Sequence, residues 1–168
     1  MEILNEKQIR HRITRLAMEI LENNLEETGF VLAGINNKGL EFAQLLLEAL
    51  KKFSTKPIEI TNIRLNPADP SNSPVEIGLP LESLNGGTII VTDDVANTGR
   101  TLFYACKPLL ATLPKRIEMA VLVDRQHKLF PVRADYVGLS LATTLMEHIE
   151  VKLKEGEMAV HLKLKPTD

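Results

Sequence analysis

Residues 88–102 read TIIVTDDVANTGRTL, and the order of that stretch decides the fold. A short apolar run ends on two adjacent aspartates, Asp93 and Asp94. Thr98-Gly99-Arg100-Thr101 follows, and then residues that can continue as a helix. Such a run bounded by polar residues reads as a buried strand, so GTIIVTDD (87–94) is expected to be one. Residues 99–113 are expected to be helical, with Pro108 kinking or shortening the helix. A loop between a strand's carboxyl end and the next helix is where open α/β sheets hold ligands.

The flanks repeat the pattern. GFVLAGI (29–35) reads as a buried strand, and 39–52 as a helix with Leu40, Ala43, Leu47 and Leu50 inward. PIEITNIRL (57–65) alternates as a strand does. RIEMAVLVDR (116–125) is another strand, and ADYVGLSLAT (134–143) contains a short one. HIEVKLK (148–154) and MAVHLKL (158–164) flank Glu155-Gly156-Glu157, the signal of a hairpin. At the front, residues 6–22 place Ile9, Ile13, Leu16, Ala17, Ile20 and Leu21 on one helical face. Asn5 is suited to cap that helix, with Gln8 three residues on. Strand, helix, strand, twice over, predicts an α/β fold with a mostly parallel central sheet. Residues 66–86 hold Pro67, Pro70, Pro74, Pro80, Gly78 and Gly86, and read as a long loop or arm with at most a short strand.

A length of 168 residues suggests a single domain, residues 1–168. The net charge of −2 speaks against a dedicated nucleic-acid binder, although a local basic patch survives such a sum. A single cysteine, Cys106, excludes an intrachain disulfide and fits a reducing compartment. Its neighbours Phe103, Leu109 and Leu110 make a buried structural thiol the expectation. No apolar run approaches the ~20 residues that cross a bilayer, and the N-terminus lacks a signal-peptide core. A cytoplasmic protein with no membrane partner is expected. His11, His127, His148 and His161 show no metal-ligand spacing.

Two loops fall at the carboxyl ends of expected strands: Gly34–Gly39 and Asp93–Thr101. In the second, Gly99 permits positive φ and close approach, and Thr98 and Thr101 add hydroxyls, which makes a cradle for a phosphate monoester. Two carboxylates beside a phosphate need something between them. A sugar diol would donate hydrogen bonds to them, and Mg²⁺ would be bound through a carboxylate or its waters.

In this order the residues resemble the phosphoribosyl pyrophosphate signature of type I phosphoribosyltransferases, closest to the pyrimidine operon attenuator / uracil phosphoribosyltransferase family. ILNEKQIRHRITRLAMEI is similar to the opening helix of that branch, GINNKGLEFAQLL to its pyrophosphate loop, and AVLVDRQHKLFPVRADYVG to its base-site segment. The terminal hairpin stands where that family has one.

The resemblance implies a three-layer α/β/α fold with a small hood (segment 124–147) and a C-terminal β-hairpin. It implies transfer of 5-phosphoribosyl to a nucleobase, uracil foremost, giving a nucleoside monophosphate and pyrophosphate, with Mg²⁺ riding on the substrate. Asp93 and Asp94 would hold the ribose hydroxyls directly or through metal waters. Val95, Ala96 and Asn97 would flank the site, and Thr98, Gly99, Arg100 and Thr101 would wrap the 5-phosphate. Ile35, Asn36, Asn37, Lys38 and Gly39 would form the pyrophosphate loop, where the family usually has Lys-Thr-Arg between isoleucine and glycine, so one positive charge is missing and the site is weaker or retuned. Residues 66–86 would be a mobile catalytic arm. The family opens that arm with a Tyr-Arg-Asp-Asp-like run; this chain reads IRLNPAD, leaving Arg64 as the candidate catalytic remnant beside the aspartates.

For the base, the resemblance implies Tyr136 stacking and the Val137 backbone reading its edge; a plain core tyrosine is the other reading. Asp124 and Arg125 either orient the base or pair with each other. Asn97 stands where purine-using relatives commonly have aspartate, and it cannot do acid–base work. A homo-oligomer, dimer or tetramer, is implied by family habit. The alternative function is a nucleotide-sensing, RNA-binding attenuator with weak or no transfer. Arg10, Arg12 and Arg15, with Lys152 and Lys154, would form its basic face.

Overall fold

The computed structural model describes residues 1–165; the last three residues of the expected domain lie outside the described residues. In chain order the elements are β1 (Glu2–Asn5), α1 (Glu6–Asn23), β2 (Phe30–Ile35), α2 (Asn36–Lys51), β3 (Ile58–Arg64) and β4 (Glu76–Ile77). After a 3-10 turn at Leu81–Leu84 come β5 (Thr88–Ala96), α3 (Arg100–Ala105), a second 3-10 turn at Lys107–Ala111, β6 (Arg116–Arg125) and β7 (Tyr136–Leu141). β8 (Glu147–Lys152) and β9 (Ala159–Leu164) complete the hairpin.

α1 starts as its sequence specifies. The Asn5 side chain accepts from the Gln8 amide at 3.0 Å, and Gln8 returns the bond to the Asn5 amide at 2.9 Å, which satisfies amides that the first turn leaves open. α2 opens three residues earlier than its pattern suggests, and Phe42 and Leu46 are buried where Leu40 and Leu47 are only half-buried. α3 ends at Ala105, before Pro108, which has no amide to continue the ladder; a 3-10 turn takes up the rest. There the Cys106 thiol is half-buried, donates to the Leu102 carbonyl, and is raised in pKa by burial.

A six-stranded sheet runs β4-β3-β2-β5-β6-β7, all parallel except β4. α1 and α2 cover one face through Ile9, Leu16, Ile20, Phe42 and Leu46 against Leu32, Ile90 and Leu122. α3 and the 3-10 turns cover the other through Leu84, Leu102, Ala105 and Leu109 against Ile63, Ile89 and Val91. This is the three-layer α/β/α arrangement expected. A separate three-stranded sheet, ordered β1-β9-β8, joins the two ends of the chain. The segment 124–147 therefore divides: residues 136–141 form an edge of the main sheet, and the small sheet starts only at Glu147.

Tyr136 corrects an expectation. It stands at the amino end of β7, four residues or about 13 Å below the level where Ser140 faces Asp124. Its ring is fully buried among the residues under α1, and its hydroxyl donates to Glu118 Oε2 at 2.7 Å. It is a core tyrosine, with its pKa raised by burial and then by Glu118. The neighbouring Val137 carbonyl is taken by Arg15 at 3.0 Å. Replacing Tyr136 by Phe removes a donor from a buried carboxylate and is expected to cost about 1–3 kcal/mol in chemical denaturation. Activity at the other end of the sheet should stay intact.

Candidate functional site

β2 crosses through α2 on one face of the sheet to β3, and β5 crosses through α3 on the other face to β6. The two chains part between β2 and β5, and their loops leave a crevice open at the strands' carboxyl ends. A cleft of about 420 Å³ lies there, lined by Ile35 to Lys38, Asp93 to Val95, Asn97, Thr101, Pro67 and Ile149. A small hollow of about 40 Å³ is lined by Asp93 and residues 95–102. A third space of about 520 Å³ is lined by Thr98, Arg125 to Leu129, Leu145, His148, Ile149 and Lys165. Asn97 borders all three.

The aspartates lie inside β5, because its ladder with β6 continues through Val95–Val123 and Ala96–Asp124. Asp93 is only 8% exposed. Its Oδ1 accepts the Asp94 amide, and Asp94 Oδ1 accepts the Val95 amide, each at 2.9 Å. Among the described residues neither has an ion-pair partner. Burial, and then the Asp94 charge, holds the Asp93 carboxyl well above its ordinary range. Burial raises Asp94 too, against the opposing effects of its Asp93 hydrogen bond, the Val95 amide and Lys38. Hydroxyl donors or a cation would relieve this. Among the described residues no group of three or more His, Cys, Asp or Glu could hold a metal. The donor set therefore fits Mg²⁺ carried largely by a ligand and water, not a protein-built cage.

The phosphate loop is held from outside. Gly99 has φ +85°, and a Cβ there would sit 2.4 Å from Val132 Cγ2. The Thr98 carbonyl accepts the Leu129 and Phe130 amides at 2.9 and 3.2 Å. Arg100 turns away from the cradle and donates to the Pro67 carbonyl at 2.7 Å, at the root of the arm.

No loop separates β2 from α2: the expected loop at 34–39 is the strand's last two residues and the helix's first turn, and asparagines hold this junction. Asn36, at φ +49°, donates to the Leu65 carbonyl and accepts the Leu65 amide, both at 3.0 Å. Asn62 donates to the Gly34 and Asn36 carbonyls at 2.7 and 2.9 Å. Gly39 lies so close to β5 that a Cβ would be 2.5 Å from the Thr92 carbonyl. Lys38 reaches the Val151 carbonyl at 3.3 Å and stands 3.7 Å from Glu41. Arg64 is exposed, bonds to Asn62 at 3.2 Å, and is not among the cleft-lining residues.

Asp124 and Arg125 do not pair with each other. Asp124 pairs with Lys128, which also donates to the Asn97 and Arg125 carbonyls. Arg125 is buried and bonds to Asn97, Thr143, Thr144 and Glu147. The basic face of α1 is largely committed. Arg12 and Arg15 donate to carbonyls of β7, and Arg10 pairs with Glu6 and Glu155, while Lys152 and Lys154 are exposed. Asn62, Thr143, Glu147, His148 and Ile149 escaped sequence reasoning; Asn62 comes beside the site by pairing with Gly34, and the others lie on the turn into β8 and on β8 itself.

Residues 1–155 match the family described as the phosphoribosyl transferase domain, and the chain belongs to that family. Among its relatives, the bifunctional protein PyrR of Elusimicrobium minutum is 38% identical over 176 residues, with 96% of each chain covered. The bifunctional protein PyrR of Bacillus pumilus is 36% identical, with 91% of this chain and 90% of the relative covered. The branch is thus that of the bifunctional PyrR proteins. The hypoxanthine phosphoribosyltransferase of Trypanosoma cruzi superposes with a TM-score of 0.76 at 21% identity, covering 99% of this chain and 97% of that one. A hypoxanthine-guanine phosphoribosyltransferase from Bacillus anthracis gives 0.69 at 20%, covering 84% and 82%. These two share the fold.

Because folding raises the Asp93 pKa, the folded state keeps a proton that the unfolded state has lost above the ordinary value of 3.8. Stability without ligand should therefore fall as pH rises through that range. Asp93→Asn mimics the protonated form. It should melt above the native protein at pH 7, with the gain vanishing in acid, in thermal scans across pH.

Proposed function

We propose that the cleft binds phosphoribosyl pyrophosphate and that the chain transfers its 5-phosphoribosyl group to uracil. The observation that carries this reading is the adjacent carboxylate pair, Asp93 buried and Asp94 half-buried, with no ion-pair partner among the described residues, set beside a tight glycine turn at the sheet's switch point. Asp93 and Asp94 would accept hydrogen bonds from the ribose hydroxyls, and Thr98 to Thr101 would enclose the 5-phosphate. Asn36 to Lys38 would face the pyrophosphate, and the space bordered by Arg125 to Leu129 and the β8 side would take the base.

In the reaction, pyrophosphate leaves with the electron pair of the C1–O bond, and a base nitrogen supplies the new pair and loses its proton. Positive charge develops on the sugar as the bond breaks. The aspartates would favour that charge, the more so once the arm shuts water out. Mg²⁺ bound with the substrate would neutralise the departing pyrophosphate. No nucleophilic side chain is required. Residues 66–86 would close over the cleft and exclude water; the Arg100–Pro67 hydrogen bond and the place of Pro67 in the cleft wall support this. Leu110 and Leu113, 80% and 84% exposed, support a homo-oligomer.

Incubation with phosphoribosyl pyrophosphate and uracil, hypoxanthine, guanine or orotate should release pyrophosphate with uracil. Silence with every base, while the substrate still binds, would remove the transfer reading. Asp94→Asn should cut turnover by about a hundredfold with an unchanged circular-dichroism spectrum.

The relatives' bifunctional name favours a second activity, and RNA is its proposed target. With Arg12 and Arg15 committed to β7, exposed Lys152 and Lys154 would carry phosphate contacts. Affinity for RNA should then drop steeply between 50 and 200 mM salt, in the manner of phosphate-driven binding. A flat salt response would end this second reading.

A further inference from the structure

Arg125 ends β6 with only 7% of its surface exposed, and among the described residues no carboxylate pairs with it. A buried cation persists only when its donors are satisfied. Here they are satisfied by neutral acceptors on two different walls of the site. Nη1 donates to Asn97 Oδ1 at 3.0 Å, at the start of the phosphate loop. Nε donates to Thr143 Oγ1 at 2.7 Å, and Nη2 to the Thr144 and Glu147 carbonyls at 3.1 and 3.0 Å. That second set belongs to the turn leading into β8. Glu147 closes the turn by accepting the Thr144 amide at 2.7 Å. Leu145 and His148, on and just past this turn, face Asn97 and Thr98 across the 520 Å³ space. Lys128 ties Asn97 from the other side, through its carbonyl and Asp124.

We propose that Arg125 is a positioning residue: a planar strut that sets the spacing between the phosphate loop and the hood turn, and hence between the 5-phosphate and the base. This rests on the transferase reading. Its four hydrogen bonds reach Asn97 on one wall and the hood turn on the other, so it acts by holding the two at a set distance. Lysine cannot replace it, because one ammonium does not span both walls in the fork geometry of a guanidinium.

The test is calorimetric titration of the full chain with two probes. Ribose 5-phosphate needs only the cradle of Thr98 to Thr101, to which Arg125 itself donates no hydrogen bond. A nucleoside monophosphate needs both walls; the probe is whichever of the uridine, inosine, guanosine and orotidine monophosphates the native protein binds most tightly. Arg125→Met should weaken the nucleotide by about tenfold or more and ribose 5-phosphate by less than about threefold, since a small displacement is costly only where two walls must be met. Arg125→Lys should not restore the nucleotide. Thr143→Val, which removes one acceptor and leaves the arginine in place, should shift the same ratio by about threefold, and the double variant should be no worse than Arg125→Met, as for residues in one network. If Arg125→Met does not fold, Thr143→Val decides by the same ratio. A purely structural role would weaken both probes alike, and an unchanged ratio in a native protein that binds both overturns the strut alone. A native protein that binds ribose 5-phosphate but no nucleotide overturns the transferase reading, and the strut with it.

Discussion

The pairing of β5 with β6 runs past the two aspartates, and the rest of the site depends on it. Had the ladder stopped at Asp94, that pair would sit on a flexible turn, free to swing into water. Continuation through Val95–Val123 and Ala96–Asp124 fixes their backbone and buries Asp93. The same continuation brings Asp124 and Arg125 level with the start of the 97–101 turn, so one ladder underlies both the aspartate cleft and the space beside Arg125. A strand pairing thus sets the electrostatics: Asp93 is buried and Asp94 half-buried beside it, and the pKa of each rises as a consequence.

Burial of like charges without a partner is unfavourable for the folded chain, and the surroundings are built tightly enough to bear it. Glycines let backbone approach where a side chain would collide, at Gly39 against β5 and at Gly99 against Val132. Asparagines do what charged residues would do elsewhere. Asn36 and Asn62 fasten the 34–39 junction to β3, and Asn97 receives the buried guanidinium of Arg125. Neutral amides hold the loops in place and leave the local field to the aspartates and to whatever ligand enters.

Much of this was legible in the sequence wherever the signal was local. Asn5 and Gln8 gave the start of α1, Pro108 the end of α3, and the apolar runs gave β2, β5 and β6 within a residue or two. The strand-to-helix junctions at 34–39 and 93–101 were found from residue type and order, but the loops expected there are mostly regular structure: 34–39 is the end of β2 and the first turn of α2, and 93–96 belongs to β5. What was not legible depends on partners far along the chain. β1 is four residues with no pattern of its own, and it is a strand because β9 lies beside it. Tyr136 reads the same whether it stacks on a ligand or fills a core; Glu118 and α1 decide the matter, and neither is near it in sequence. Arg125 was seen, with orienting the base or pairing with Asp124 as its two readings; the pair is absent because Asp124 meets Lys128, and its acceptors at 143–147 come from a turn whose position only the fold fixes.

The small sheet made from the two chain ends has a consequence for biosynthesis. β9 is its central strand, flanked by β1 from the very start of the chain and by β8. The Met1 ammonium meets the Leu162 carbonyl at 2.8 Å across the whole length of the chain. While the polypeptide is still emerging from a ribosome, β1 and β8 therefore lack the strand that joins them. Until β9 is made, the turn at 143–147 is held from β6 through Arg125 but β8 has no strand beside it. The main sheet can assemble earlier from its own consecutive strands, so the small sheet, which waits for β9, is the later of the two to form.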